Sequence, residues 1–129
     1  MRFSVSISEK SISEVENDSE PSTEHGADIR FHGVVRDRED GRPISGIRYS
    51  FYEGMALKEL NRIVATMTEE YPDHLVLIHH KVGFVAAGEA SILIRVQSAH
   101  SAEGFEISRK YLARIKKTVP IWKEPVFVK

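Results

Sequence analysis

HLVLIHHKVGFVAAGEASILIRVQSA, residues 74–99, reads as two β-strands around a turn. The runs 74–84 and 90–99 are dominated by Val, Ile, Leu and other strand-forming residues, and AAGE at 86–89 carries the glycine that a hairpin turn favours. Strands joined so closely pair antiparallel, because a parallel pair needs a crossover of a dozen or more residues. The segments on either side decide whether this pair sits in a βαβ series or in a mixed α+β fold.

Upstream, Arg2–Ile7 alternates as a short strand. SEKSISEVENDSEPSTEHG, residues 8–26, is rich in Ser and Glu and poor in large apolar side chains, so it reads as a mobile surface connection. ADIRFHGVVR, residues 27–36, is a strand with Gly33 as a bulge or close-approach point. DREDGRP at 37–43 reads as a loop, and ISGIRYSFYE at 44–53 as another strand. The period then changes: Leu57, Leu60, Val64 and Met67 step by three and four, which predicts an amphipathic helix over 55–71, stopped by Pro72.

Downstream, a second helix is predicted from Ser101, which can cap it, to Val119 before Pro120. Ala102, Phe105, Leu112, Ile115 and Val119 would form its apolar side. The order is β-β-β-α-β-β-α with an extended tail, PVFVK. Without a βαβ series, the expected fold class is α+β with a mainly antiparallel sheet and two main helices. No internal repeat is present, and residues 1–129 read as one domain.

Eighteen basic and nineteen acidic residues give a formal charge of -1, so no overall field attracts nucleic acid or an acidic membrane, and any anion site is local. A nucleic-acid module would also need an interleaved basic and aromatic platform, which is missing. The absence of cysteine excludes a disulfide framework, a thiolate metal site and a cysteine nucleophile. No apolar run approaches the roughly 18 residues of a membrane span, and the first residues lack a signal-peptide apolar region, so a cytoplasmic location is expected.

KKTVPIWKEP, residues 116–125, places lysines on both sides of the helix-ending proline. Lys116 borders the apolar face, while Lys117 points about 100° away. Lys123 follows a chain reversal beside Trp122 and could approach the last helical turn. Neighbouring ammonium groups disfavour each other's protonation, which makes a lysine a usable base or nucleophile near neutral pH. Three solvated lysines are the plainer alternative. Arg36 ends a strand at a loop, a position that suits a guanidinium gripping phosphate or carboxylate. His100 stands at a strand-to-helix junction, where imidazole and free amides could hold an anion, or where it is simply a residue near a cap. His79 and His80 point to opposite faces of a strand, and with no HExxH spacing no metal site is expected.

In order, FHGVVR at 31–36, YEGMA at 52–56, IHHKVG at 78–83, QSAH at 97–100 and KKTVPIWK at 116–123 resemble the large, catalytic subunit family of molybdopterin synthase. The resemblance covers roughly residues 27–125 and implies an α/β-hammerhead type of α+β fold. It implies a sulfurtransferase of molybdenum cofactor biosynthesis that converts precursor Z, cyclic pyranopterin monophosphate, into molybdopterin. Sulfur would arrive as a thiocarboxylate on the C-terminus of a small ubiquitin-like subunit, which accounts for the missing cysteine, and no cofactor is bound. It further implies a central homodimer within a heterotetramer, with the site completed across the dimer interface. Lys116 and Lys123 match the catalytic lysines. Arg36, Val35, His100, Ser101, Lys116, Lys123 and Glu124 fall at substrate-binding positions, His100 serving the substrate's phosphate from the neighbouring subunit.

Two departures follow. Ser101 stands where the family has arginine, and losing that charge-assisted contact would cost on the order of 1.5 to 3 kcal/mol unless Lys81 or Arg109 compensates. The sequence also ends at Lys129, soon after the second lysine, so a shortened tail pocket or dimer contact is expected. These departures leave an alternative: a diverged subunit that binds the ubiquitin-like partner without turnover.

Overall fold

The computed structural model describes residues 3–129 and contains two β-sheets and three helices. The elements are β1 (Phe3–Ser8), α1 (Ile12–Asn17), β2 (Ala27–Val34), β3 (Arg38–Glu39), β4 (Arg42–Phe51), α2 (Glu53–Glu70), β5 (His74–Lys81), β6 (Gly83–Ala86), β7 (Ala90–Ser98), α3 (Ser101–Thr118) and β8 (Ile121–Phe127). The first sheet has the order β1-β5-β7-β2, and only β1 with β5 is parallel. In the second, β4 pairs with β3, β6 and β8, all antiparallel. This is the mainly antiparallel α+β fold expected of the sequence.

Alternation along the strands decides which face of the first sheet is dry. Val76, Ile78, Ile94 and Val96 point inward and pack with Leu60, Ile63, Val64 and Met67 of α2 and Ile107, Tyr111 and Ile115 of α3. The α2 reading therefore holds, with the helix beginning two residues earlier than expected. Arg114 of α3 donates to Glu70 of α2 at 2.7 Å, clasping the two helices at their exposed edge.

The face of α3 differs from its sequence reading. Phe105 is 64% exposed, while Gly104, Ile107, Ser108, Tyr111 and Ile115 are buried. Gly104 decides this: a Cβ there would lie 2.7 Å from Ile29 Cδ1 and 2.8 Å from Ser98 Oγ, so only glycine lets α3 lie this close to the sheet. The N-cap is His100, without a side-chain cap bond, and Ser101 is the first helical residue instead of the cap.

The hairpin of residues 74–99 also needs correction. β5 does pair with β7, but the run 74–84 is not one strand. At Gly83 the backbone takes φ +82°, and residues 83–86 cross to the second sheet as β6, paired with β4. The loop 37–43 contains a second hairpin, in which Asp40 and Gly41 have φ of 53° and 75°, the two positive values of a type I′ turn. Gly33 behaves as expected, with a register shift between Gly33 and Val34.

The outer face of the first sheet mixes leucines with buried polar side chains, His79, Arg95 and Gln97 among them. Arg95 is 1% exposed, and its Nε and Nη2 donate to Asp28 at 2.9 and 2.8 Å while Nη1 donates to Ser19 at 2.6 Å. Residues 8–26 lie over this face and carry α1, which is held by a capping box between Ser11 and Glu14. His79 belongs here, accepting from Ser6 and donating to the Lys10 carbonyl, whereas His80 packs on Tyr49 toward the second sheet.

The Arg95 guanidinium, with a further bond from Arg30, lowers the Asp28 carboxyl from 3.8 to about 2. Acidification protonates the unfolded chain first, so this contribution is present above pH 4 and is lost as the pH falls toward 2. Asp28→Asn leaves Arg95 buried without its counter-charge and is expected to destabilise the fold by about 3 to 5 kcal/mol at neutral pH. Urea unfolding of both proteins between pH 7 and 2 checks this, with the difference shrinking below pH 4.

Candidate functional site

β4 and β8 build one half of the site. In their antiparallel register Tyr49 faces Lys123, Arg48 faces Glu124 and Ser50 faces Trp122. Lys123 and Trp122 therefore point to opposite faces, and Trp122 is 55% exposed. The Lys123 ammonium lies 3.8 Å from Glu39 Oε1 on β3. Lys116 sits in the last turn of α3, exposed and without a hydrogen bond or ion pair among the described residues. Val119 N bonds to Ile115 O and Ile121 N to Val119 O, so the chain turns tightly from helix to strand. Both lysines border this turn, but neither is the other's bonded neighbour.

Val35 and Arg36 follow β2, and Val35 is fixed from the backbone. Val35 N donates to Glu89 O at 3.0 Å, and Gly88 N donates to Val35 O at 2.7 Å. The turn at 86–89 is itself braced: Glu89 Oε1 accepts Ala86 N at 3.1 Å and Oε2 accepts the Lys81 ammonium at 2.5 Å. That ammonium group holds the Glu89 carboxyl below its ordinary value of 4.5. Val35 is 3% exposed, while Arg36 is exposed and has no side-chain partner among the described residues.

Lys81 is thus committed to Glu89 and does not supply the free cation that Ser101 would need beside it. Sequence reading missed Glu89 because its two side-chain bonds and its bond to Val35 depend on the crossing of β6. Glu39 was missed for a similar reason, although Asp40–Gly41 in the same stretch is a recognised hairpin signal.

His100 and Ser101 lie at the other end of α3. They are exposed, and fifteen helical steps separate Ser101 from Lys116, an axial distance of about 22 Å. One chain therefore places Lys116 and Lys123 at one end of the helix and His100 with Ser101 at the other. Among the described residues no cluster of His, Asp and Glu has the arrangement of a metal site.

The fold is a mainly antiparallel α+β one, with exposed lysines bordering the C-terminal end of α3 and with His100 and Ser101 exposed at its N-terminal end. The family model described as MoaE protein matches residues 5–118, and the chain belongs to this family. The molybdopterin synthase catalytic subunit of Nostoc sp. is 31% identical over 123 residues, 95% of this chain and 74% of its own length. That of Emericella nidulans is 37% identical over 110 residues, 85% of this chain and 55% of its own length. The crystal structure of molybdopterin synthase from Staphylococcus aureus matches with a TM-score of 0.85 and 26% identity, covering 100% of this chain and 93% of that one. A complex of subunits 1 and 2 of molybdopterin-converting factor from Helicobacter pylori shares the fold, with a TM-score of 0.75 and 19% identity over 100% of this chain and 91% of that one. The matched span includes Arg36, His100, Ser101 and Lys116, while Lys123 and Glu124 lie beyond it.

Glu89→Ala removes both the brace on the turn and the counter-charge of Lys81. Hydrogen exchange at the Val35 and Gly88 amides is expected to accelerate about tenfold, the scale of one lost charge-assisted bond, while core amides of β7 keep their protection.

Proposed function

We propose that this chain is the catalytic subunit of a molybdopterin synthase, a sulfurtransferase of molybdenum cofactor biosynthesis. It takes sulfur from the thiocarboxylated C-terminus of a small ubiquitin-like partner and delivers it to precursor Z, giving molybdopterin. The observation that carries the reading is the pair of exposed lysines on either side of the turn from α3 to β8, in a member of this family. One amine stabilises negative charge developing on the thiocarboxylate carbonyl or takes up the acyl group; the other moves protons on the pterin side. Arg36 grips the anionic substrate, and Val35 and Glu124 fall at further substrate-binding positions. We place the reaction in the cytoplasm, and the chain itself holds no cofactor.

The separation along α3 supports a homodimer at the centre of a heterotetramer, because His100 and Ser101 reach the lysine end only from a second copy. Ser101 keeps the alternative of a docking subunit without turnover in play, and the same assay separates the two.

Lys116→Ala and Lys123→Ala are each expected to lower single-turnover formation of the dithiolene by about 100-fold or more, as loss of a general acid or base does. The assay mixes protein, thiocarboxylated small subunit and precursor Z, and reads the fluorescent oxidation product. A stable complex without product in the unsubstituted protein would favour the docking reading.

Subunit mixing tests the shared site. His100→Ala and Lys116→Ala homodimers, each inactive alone, are expected to recover about a quarter of the wild-type rate after random exchange, since half the dimers are mixed and each has one intact site. No recovery would place His100 and Lys116 in the same chain's site, and activity of the His100→Ala homodimer alone would remove His100 from it.

A further inference from the structure

The hairpin of β3 and β4 begins one residue after Arg36 and folds back over β8. Three contacts fasten it there. Val128 N donates to Pro43 O at 3.1 Å, the Arg42 guanidinium lies 4.0 Å from the centroid of the Phe127 ring, and Glu39 meets Lys123 at 3.8 Å. Lys123 and Phe127 are four residues apart on β8 and share a face, so both side-chain contacts are made from the same side of the strand. Asp37 O accepts Ile44 N at 2.9 Å and closes the base of the hairpin beside Arg36.

The two members of the ion pair are unequal. The Glu39 side chain is 22% exposed and that of Lys123 57% exposed. The carboxylate belongs to the two-residue strand β3 and is the more sheltered member, while the ammonium end of the lysine faces solvent. A mobile amine four methylenes from the backbone samples many rotamers, and a fixed counter-charge on one side narrows them.

We infer that Glu39 is a positioning residue for Lys123, tying its ammonium group to the hairpin that starts at Arg36. None of the five family motifs contains Glu39. Its role rests on the reading of Lys123 as a reacting amine, and it acts through that lysine without touching substrate. The Arg42–Phe127 stacking keeps the hairpin down on β8 so that the carboxylate stays within reach.

The experiment uses the full chain and its Glu39→Gln variant, which keeps shape and loses charge. Reductive 13C-methylation labels the lysines, and the Lys123 dimethylamino signal is assigned by its loss in Lys123→Arg. Glu39→Gln is expected to shift that signal and leave those of Lys58 and Lys117 in place. In the single-turnover assay the rate at saturating precursor falls about fivefold, the scale of one exposed ion pair, while KM for precursor stays within about twofold. A hairpin acting only through packing would instead lower Tm and raise KM through Arg36. An unmoved Lys123 signal, or a wild-type rate in Glu39→Gln where Lys123→Ala is inactive, overturns the inference alone. Full activity of Lys123→Ala overturns the reading of Lys123 and the inference with it.

Discussion

The architecture depends on one left-handed residue. At Gly83 the chain leaves the first sheet, where β5 lies between β1 and β7, and enters the second as β6. A φ of +82° is open to glycine and strained for a side chain, and a Cβ there would also stand 3.0 Å from Glu9 Oε1. Two consequences follow from that crossing. β6 gives β4 a partner on one edge while β8, the strand of Lys123 and Glu124, occupies the other. The turn after β6 returns to Val35 and holds it from both backbone groups, with Arg36 next in the chain. Both halves of the lysine-end site are thus placed by where β6 goes.

The sequence readings that succeeded rest on local physics. The three-and-four spacing of α2 and the glycine bulge of β2 involve near neighbours, and both are found where expected. The misreadings have a common cause in partners distant along the chain. A strand of eleven residues looked continuous because nothing local shows that 83–86 pair with β4. Phe105 looked like core because it is large and apolar, yet close packing of α3 required the smallest residue, Gly104, at the contact. α1 hid in a polar stretch although Ser11 and Glu14 have capping-box spacing, because its only buried side chain is Ile12.

For the proposed site, the five motifs supplied candidate residues but not their distribution in space. Motif order says nothing of the rise along a helix, and it is that rise which sets Ser101 about 22 Å from Lys116. Ion partners were equally hidden: Lys81 finds Glu89 across a turn, and Lys123 finds Glu39 across two strands.

These pairings sort the basic residues by use. Arg95 is buried and bonded to Asp28 and Ser19, and Lys81 is bound to Glu89, so both serve the fold. Arg36, His100 and Lys116 keep exposed side chains without such partners among the described residues, which is the state an anion-binding group needs before its ligand arrives. Ser101 sharpens the contrast at the N-terminal end of α3. Lys81 is engaged with Glu89, and Arg109 lies about 12 Å further along the helix, so neither of these two cations stands beside Ser101. What remains on that side of a phosphate is the His100 imidazole, the Ser101 hydroxyl and the open amides of the first helical turn, whose partial positive charge favours an anion but grips it less firmly than a guanidinium. On the proposed function, the firmer hold on an anionic substrate then falls to Arg36 and the two lysines, the basic half of the site.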